Sequence, residues 1–279
     1  MRVLVAKSAG YCFGVKRATN MAFEAADKYS PICSLGPIIH SPQLVGKLEE
    51  KGVRVVRRVE EIEKGAVIVR SHGVTASELN ALEARDLTLV DATCPFVKNA
   101  QEHAGQLSRD GYTVVIVGEQ EHPEVQGIVS FAEPGEVRVI ASPEEAEALP
   151  RRRRMGLVAQ TTQSFENLRQ IAGVCLARSS ELRIFNTICD ATSVRQEEAR
   201  QIAVASDAML VIGGFNSANT NRLAQICSQI QPRTHHVETA EQIDPAWFQG
   251  CATVGVTAGA STPRWIIDEV VYRVTGLED

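Results

Sequence analysis

The chain has 279 residues, of which 44% are hydrophobic and 23% charged, and its formal net charge is −5. This is the composition of a globular protein, and the negative charge argues against nucleic-acid binding, which needs clustered positive charge. No apolar run reaches the ~18 residues of a membrane helix. Seven scattered cysteines without a secretory signal indicate reduced thiols, so we expect a cytoplasmic protein with no membrane partner.

Three segments share a pattern in which an apolar, strand-like stretch leads to a cysteine and then to a helix-like run. They are RVLVAKSAGYCFGVKRATNMA, LTLVDATCPFVKNAQEHA and LRIFNTICDATSVRQEEARQIA, and they contain Cys12, Cys94 and Cys189. At Cys94 the predicted strand ends and Pro95 occupies the first position of a helix, where proline is tolerated. The exposed amides at such a helix start favour a thiolate.

A second pattern follows each cysteine at a constant distance: a glycine and, four residues later, a polar side chain that opens another helix. The segments are LGPIIHSPQLVGKLEE, IVGEQEHPEVQGIVSF and IGGFNSANTNRLAQIC, with His40, His122 and Ser217. Positions 12 and 40, 94 and 122, and 189 and 217 are each 28 residues apart. The constant distance indicates an internal repeat.

A third set of apolar strands ends in small or polar residues before a helix. The segments are AVIVRSHGVTASEL, GLVAQTTQSFENL and ATVGVTAGASTPRWII. Their polar ends carry Ser71 and His72, Thr161 and Thr162, and Thr257 and Ser261.

Short Val- and Ile-rich strands that alternate with helices are typical of parallel sheets covered by helices. The sequence therefore predicts an α/β fold with three lobes of about 90 residues each. Ligands of open parallel sheets gather beyond the carboxyl ends of the strands, where all the cysteines and polar residues above are predicted to lie.

Three thiolates that converge from three lobes need a partner with attachment points in a threefold arrangement. A [4Fe-4S] cluster held by three cysteines meets this need, with a fourth iron open to a substrate oxygen. Zinc held by three cysteines and a histidine is the alternative, although structural zinc usually takes ligands from closely spaced pairs. Three inert core cysteines are the third possibility. The remaining cysteines share no repeated position and are interpreted as packing residues: Cys33, Cys175, Cys227 and Cys251.

Polar side chains at the predicted helix starts suit a phosphate or diphosphate, because helix N-termini offer amide donors. These residues are His40, His72, His122, Ser217, Asn219 and Ser261. Helix capping alone explains either Ser217 or Asn219. The equivalent repeat positions of His40 and His122 favour ligand binding.

Glu124 follows His122 by two residues, in the first turn after Pro123. It is either an acid that stabilises a helix N-terminus or a proton donor aimed into the central pocket. Glu119 and Glu121 are nearby alternatives.

A run of four arginines at 151–154 separates an acidic segment from the strand MGLVAQ. We interpret it as a solvated loop, and docking of an acidic electron carrier is the alternative.

These residues together resemble the 4-hydroxy-3-methylbut-2-enyl diphosphate reductases, a family that catalyses the last step of the non-mevalonate (methylerythritol phosphate) isoprenoid pathway. The resemblance covers essentially the whole chain. It rests on motifs in one order: GYCFGVKRA, LGPIIHSPQ, RSHGV, DATCPFV, GEQEHPEV, QTTQS, NTICDATSVRQEEA, NSANTNRL and VTAGAS.

The resemblance implies three α/β lobes related by pseudo-threefold symmetry around a central iron–sulfur cluster. We place the lobes at 13–93, 94–188 and 189–279, and the N-terminal strand, 1–12, is expected to pack with the third lobe. Cys12, Cys94 and Cys189 match the cluster ligands of the family.

The resemblance also implies roles for the polar residues. The family's diphosphate-binding positions match His40, His72, His122, Ser217, Asn219 and Ser261. Glu124 matches the acid that delivers protons, and Thr161 the hydroxyl that positions it and the substrate alcohol.

One position departs from the family pattern: Ala218 stands where a second serine is common. A hydroxyl contact to phosphate is then missing, although the Ala218 amide could still donate. The loss is worth about 1 kcal/mol of binding, one ordinary hydrogen bond.

The implied reaction is reductive dehydroxylation of 4-hydroxy-3-methylbut-2-enyl diphosphate to isopentenyl and dimethylallyl diphosphates, with reduced ferredoxin or flavodoxin as electron donor. A non-enzymatic sensor of redox state or phosphorylated metabolites is the alternative from another class, and it would not need Glu124 and Thr161. A cysteine-nucleophile enzyme is a third option, and it would need one essential cysteine instead of three.

Overall fold

The structure is a computed structural model that describes residues 1–276, which form three four-stranded parallel sheets and ten α-helices. The predicted α/β class with short parallel sheets is confirmed. The chain divides into two compact units. The first unit contains Met1–Lys16, His40–Leu44 and the chain from Asp190 onward, and the second unit contains Arg17–Ile39 and Val45–Cys189.

Strands and helices alternate along the chain. The strands are β1 (Arg2–Val5), β2 (Ile32–Leu35), β3 (Val53–Val56), β4 (Ala66–Val69), β5 (Thr88–Asp91), β6 (Thr113–Val117), β7 (Val137–Ile140), β8 (Arg152–Ala159), β9 (Ser179–Ile184), β10 (Ala208–Ile212), β11 (Thr234–Val237) and β12 (Thr253–Ala258). The α-helices are α1 (Phe13–Lys28), α2 (Pro42–Glu50), α3 (Ala76–Glu83), α4 (Pro95–Arg109), α5 (Pro123–Ala132), α6 (Pro143–Glu147), α7 (Phe165–Arg178), α8 (Asp190–Val204), α9 (Ala218–Ile230) and α10 (Arg264–Thr275). Within residues 1–276, no helix has both the length and the apolar composition needed to cross a bilayer.

The three sheets have the same strand order. The order is β3-β2-β4-β5 in one sheet, β7-β6-β8-β9 in the next and β11-β10-β12-β1 in the third. In the third sheet, which lies in the first unit, the N-terminal strand β1 takes the last place by pairing in parallel with β12. The strand in last place therefore always precedes one of the three cysteines: β1 precedes Cys12, β5 precedes Cys94 and β9 precedes Cys189. The exact lobe boundaries stay a prediction.

The central strands are apolar on both faces because helices cover both sides of each sheet. In the second unit, Val114 and Ile116 of β6 pack in one hydrophobic cluster with Leu107 of α4. Val115 of the same strand points the other way, into a cluster with Ile171 of α7. Complete burial of each such side chain contributes about 1.5–3 kcal/mol, which explains why the Val- and Ile-rich stretches form the strands.

Three of the four arginines in the run belong to a strand and not to a loop. β8 begins at Arg152, and the Arg152 guanidinium binds both oxygens of Glu136 at 2.7 and 2.8 Å. Arg154 pairs with Glu181 at 2.8 Å on the neighbouring strand. The prediction of a loop was therefore wrong for 152–154, where carboxylates of distant segments pair with Arg152 and Arg154. The predicted solvation is observed, because Arg151, Arg153 and Arg154 are exposed.

Candidate active site

Each of the three cysteines of the repeat lies immediately before a helix. α1, α4 and α8 begin at the residues that follow Cys12, Cys94 and Cys189, and Cys94 is the N-cap residue of α4. All three are partly exposed and none forms a disulfide bond. The Cys12 sulfur accepts a hydrogen bond from the Val15 amide in the first turn of α1 at 3.5 Å. Partly exposed thiols at helix starts have the donor chemistry of iron–sulfur cluster ligands.

The other cysteines differ in their surroundings. Cys33, Cys175 and Cys227 are buried, which agrees with the packing role inferred for them. Burial raises the pKa of Cys175 to about 11 and that of Cys227 to about 12. These thiols stay protonated at neutral pH and are poor metal ligands.

The backbone amide of each cysteine of the repeat is anchored to the end of a strand within its own unit. The bonds are Cys12 N–H to Ala260 O at 3.3 Å, Cys94 N–H to Ser71 O at 2.9 Å and Cys189 N–H to Thr161 O at 3.0 Å. Each acceptor directly precedes a residue of the third polar set: Ser261, His72 and Thr162, respectively. The same bond in three places links each cysteine to a strand end that carries polar side chains.

In the first unit, His40 lies beside the loops that follow β10 and β12. The Ser261 hydroxyl donates to the His40 carbonyl at 3.1 Å, and both residues line a small cleft with Gly213 and Gly214. Glu238 also lines the cleft, and its carboxylate accepts a hydrogen bond from the loop after β10 at 2.8 Å. The cleft therefore combines a histidine and a hydroxyl with two glycines, which have no side chains to fill it.

The start of α9 offers further donors in the first unit. Ser217 caps the helix by accepting a hydrogen bond from the Thr220 amide at 3.3 Å, so the capping role considered for it is observed. Its hydroxyl proton remains available for donation. Asn219 is 5% exposed, and its side-chain nitrogen has no hydrogen-bond partner among the described residues. Because a buried amide without a partner costs about 1–3 kcal/mol, this nitrogen is suited to an acceptor on a ligand. Ala218, between them, is the first residue of the helix.

Gly213, at the end of β10, is expected to be intolerant of alanine. It has φ +143°, and a Cβ atom there would lie 2.6 Å from the Thr262 hydroxyl and 2.8 Å from that of Thr220. We predict that Gly213→Ala lowers the free energy of unfolding by about 2 kcal/mol through strain. Urea unfolding of the metal-free protein measures this. Gly173→Ala, in open space on α7, is the control and should leave stability unchanged or slightly higher. Equal stability of the two variants would contradict the prediction.

His236 adds a contact that the repeat pattern does not signal. It is half-buried on β11, and its Nε2 atom lies 2.8 Å from the Gly213 carbonyl oxygen. Burial lowers its pKa, although the bond to Gly213 and the charge of Glu238 act in the opposite direction. This imidazole holds the glycine loop in place.

In the second unit, Glu124 and Thr161 form a buried pair. Glu124 is 2% and Thr161 7% exposed. One carboxylate oxygen of Glu124 accepts the Thr161 amide at 2.6 Å, and the other accepts the Thr161 hydroxyl at 2.9 Å. Glu119 and Glu121 were the alternatives to Glu124 as proton donor, and Glu119 is half-buried whereas Glu121 is exposed. Glu124 is therefore the carboxyl that the fold buries and orients.

The surroundings of Glu124 allow it to carry a proton near neutral pH. Burial raises the pKa of its carboxyl from 4.5 to about 7, and the charge of Glu119 acts in the same direction. The two hydrogen bonds from Thr161 lower it and offset part of this effect. A carboxyl with a pKa near the working pH is suited to general acid catalysis.

His72 and His122 lie together near this pair. Their rings meet edge to face with centroids 5.5 Å apart. The Nδ1 atom of His122 accepts the Glu124 amide at 3.2 Å, which leaves the proton of the neutral ring on Nε2. Burial and the charge of Arg70 lower the pKa of His122 to about 4. His122 is therefore a neutral hydrogen-bond donor at pH 7.

Gln160, which was not among the predicted site residues, supports this site. Its side-chain oxygen accepts the Glu119 amide at 3.1 Å, and it is completely buried. A Cβ atom at Gly118 would lie 2.9 Å from the Gln160 side-chain oxygen. Its position directly before Thr161 in the QTTQS motif is the only sequence signal for it.

A buried carboxyl–hydroxyl pair at the ends of parallel strands, with a pKa near 7, is characteristic of an enzyme active site. The LytB protein family matches residues 3–275, and the chain belongs to this family. The resemblance recognised in the sequence is thereby confirmed.

Two similar proteins carry the same name. The chain is 66% identical to 4-hydroxy-3-methylbut-2-enyl diphosphate reductase of Syntrophotalea carbinolica, with 99% of each chain covered. It is 61% identical to the protein of the same name from Geobacter sulfurreducens, with 98% of this chain and 97% of the relative covered.

Two solved structures are also similar. One is (E)-4-hydroxy-3-methyl-but-2-enyl diphosphate reductase, described as the terminal enzyme of the non-mevalonate pathway. It is 43% identical with a TM-score of 0.71, and 99% of this chain and all of that chain are covered. The other is the E-1-hydroxy-2-methyl-but-2-enyl-4-diphosphate reductase of Plasmodium falciparum, with a TM-score of 0.91 over 98% of this chain and 88% of that chain. At 21% identity, this second likeness supports the fold alone.

Proposed function

We propose that this chain reduces 4-hydroxy-3-methylbut-2-enyl diphosphate to isopentenyl and dimethylallyl diphosphates. Two electrons and two protons enter, the allylic C–O bond breaks, and water leaves. The proposal is carried by the 66% identity, over 99% of both chains, to the Syntrophotalea carbinolica protein named 4-hydroxy-3-methylbut-2-enyl diphosphate reductase. The buried Glu124–Thr161 pair supplies the acid that this reaction needs.

Cys12, Cys94 and Cys189 are proposed to hold a [4Fe-4S] cluster whose fourth iron is left open to substrate. When bound, such a cluster supplies electrons one at a time and a Lewis-acidic iron for the hydroxyl group. The partial exposure of the three cysteines, the absence of a disulfide bond at each and their position before helices support this assignment. The raised pKa values of Cys175 and Cys227 argue against those two thiols as ligands.

The diphosphate is proposed to bind to uncharged side-chain donors and to a backbone amide. The proposed residues are His40, His72, His122, Thr161, Ser217, Ala218, Asn219 and Ser261. The unpartnered Asn219 amide and the Nε2–H of His122 are donors in suitable protonation states. Ala218 can contribute only its backbone amide, at the first position of α9. Binding of the diphosphate holds the distant hydroxyl group in a fixed position, which lowers the entropic part of the barrier.

Glu124 is proposed to deliver protons, with Thr161 holding its carboxyl in one orientation. Protonation of the leaving hydroxyl lets water depart instead of hydroxide. The carboxyl needs a pKa near 7 for this role, and burial provides it.

We propose reduced ferredoxin or flavodoxin as the electron donor and the cytoplasm as the compartment. Both follow the family resemblance.

Turnover with reduced methyl viologen and the hydroxylated diphosphate tests the function. We expect oxidation of the dye only when substrate is present, together with formation of both five-carbon diphosphates. A protein that binds its cluster and the diphosphate without turnover would instead be a sensor.

A further inference from the structure

Helix α8 is attached to the chain segment that leads into Cys12. This segment, 6–11, joins β1 to Cys12 and lies in the first unit together with α8. Its attachment depends on two charged residues of α8, Arg195 and Glu198, which we call the Arg195–Glu198 clamp. The mechanism proposed above assigns no role to either residue.

Glu198 binds the start of the segment. Its two carboxylate oxygens accept the backbone amides of Lys7 and Ser8 at 2.7 and 2.8 Å, and one of them also accepts the Ser8 hydroxyl. Although burial raises the pKa of Glu198, the hydrogen bonds from Ser8 and Lys7 outweigh it and lower the pKa overall. The carboxylate is therefore ionised at neutral pH and makes three charge-assisted hydrogen bonds.

Arg195 binds the next part of the segment. It is 3% exposed, and its guanidinium donates to the Ser8 carbonyl at 2.6 and 3.1 Å and to the Gly10 carbonyl at 2.8 Å. Gly10 has φ +100°, and a Cβ atom there would lie 3.2 Å from the Ile267 side chain. Arginine places several planar donors at fixed angles, which lysine cannot do.

Hydrogen bonds to Arg195 and Glu198 therefore hold the segment from Lys7 to Gly10. The Cys12 amide itself donates a hydrogen bond to the Ala260 carbonyl. Arg195 is buried and Glu198 half-buried, and these hydrogen bonds offset the cost of taking the Arg195 charge out of water. We propose that Arg195 and Glu198 are positioning residues that hold the Cys12 thiolate in the orientation needed for the iron–sulfur cluster. The inference rests on the proposed function, because it assumes that Cys12 is a cluster ligand.

The test is the rate at which iron leaves the anaerobically reconstituted protein in the presence of a ferrous chelator. Residues that support metal ligands typically alter affinity 10–100-fold. We expect Glu198→Gln and Arg195→Lys to release iron at least about tenfold faster than the wild type. Ser8→Ala, which removes one of the bonds to Glu198 and keeps the backbone pair, should have a smaller effect in the same direction.

Glu197→Gln is the matched control, because Glu197 is exposed on the same helix and undergoes the same change of charge. It should release iron at the wild-type rate. Urea unfolding of the metal-free variants distinguishes the proposed positioning of Cys12 from a purely structural role. A purely structural role would lower the free energy of unfolding without altering iron release. That result, or wild-type release from Glu198→Gln, would overturn the inference. A wild-type protein that binds no iron at all would instead overturn the proposed function.

Discussion

Glu124→Gln is expected to lower kcat by about 10²–10⁴-fold while the iron content and substrate affinity stay close to wild type. Positioned general acids contribute this much to catalysis, and glutamine cannot release a proton. The substitution keeps the size of the side chain, an oxygen that can accept the Thr161 amide and an NH2 group that can donate to the Thr161 hydroxyl oxygen. Steady-state turnover with reduced methyl viologen measures kcat, and iron analysis and equilibrium binding measure the other two quantities.

Glu121→Gln is the control for this variant, since Glu121 is exposed three residues earlier in the chain. It should retain wild-type turnover. Near-normal kcat in Glu124→Gln would remove Glu124 from the role of proton donor, whatever the control shows.

The raised pKa of Glu124 also determines how kcat/KM of the wild-type enzyme should depend on pH. Because burial raises the pKa of Glu124 to about 7, the protonated form persists up to that pH and is lost above it. The value of kcat/KM should therefore fall as pH rises through about 7, approaching a tenfold loss per pH unit. A carboxyl with an ordinary pKa would already be deprotonated at pH 5.5. The descending limb should be absent from the residual activity of Glu124→Gln.

Cys94→Ser is expected to have the second large effect, on the cofactor itself. A serine hydroxyl is deprotonated far less readily than a thiol and is a poor ligand for iron. The variant should lose most of its iron and visible absorption, with turnover falling in proportion. Cys251→Ser is the control, because Cys251 is partly exposed but lies outside the repeat. An intact cluster spectrum in Cys94→Ser would contradict the ligand assignment.

The repeated local patterns of the sequence predicted the fold well. Apolar stretches with strong β preference became the central strands, and the position of Cys94 before Pro95 correctly predicted a helix start. These features depend on neighbours in the chain, so periodicity and helix-capping rules are sufficient to recognise them. Threefold repetition strengthened each signal, since an isolated cysteine or histidine has several ordinary explanations.

Contacts between distant segments were not predictable in the same way. Glu124 and Thr161 are 37 positions apart, and only the fold shows that both oxygens of the carboxylate are bound. The family resemblance pointed to the pair, whereas residue types alone left three glutamates open. Arg152 shows a related error: a run of charges was interpreted as a loop, whereas Arg152 begins a strand and pairs with Glu136.

The Arg195–Glu198 clamp illustrates the same limit within a helix. The stretch VRQEEA has the composition of a solvated helix face. Glu197 is exposed as this composition predicts, whereas Arg195 is buried. Helical periodicity places the two clamp residues three positions apart on one face. Nothing local indicates that this face meets the segment before Cys12, since the partners are more than 180 positions away.

The most direct test of the account is iron, sulfide and zinc analysis of the anaerobically purified protein, with its visible spectrum. A [4Fe-4S] cluster held by Cys12, Cys94 and Cys189 requires about four irons and four sulfides per chain and a brown protein that bleaches on reduction. Stoichiometric zinc without sulfide, or a colourless protein that cannot be reconstituted with iron and sulfide, would contradict it.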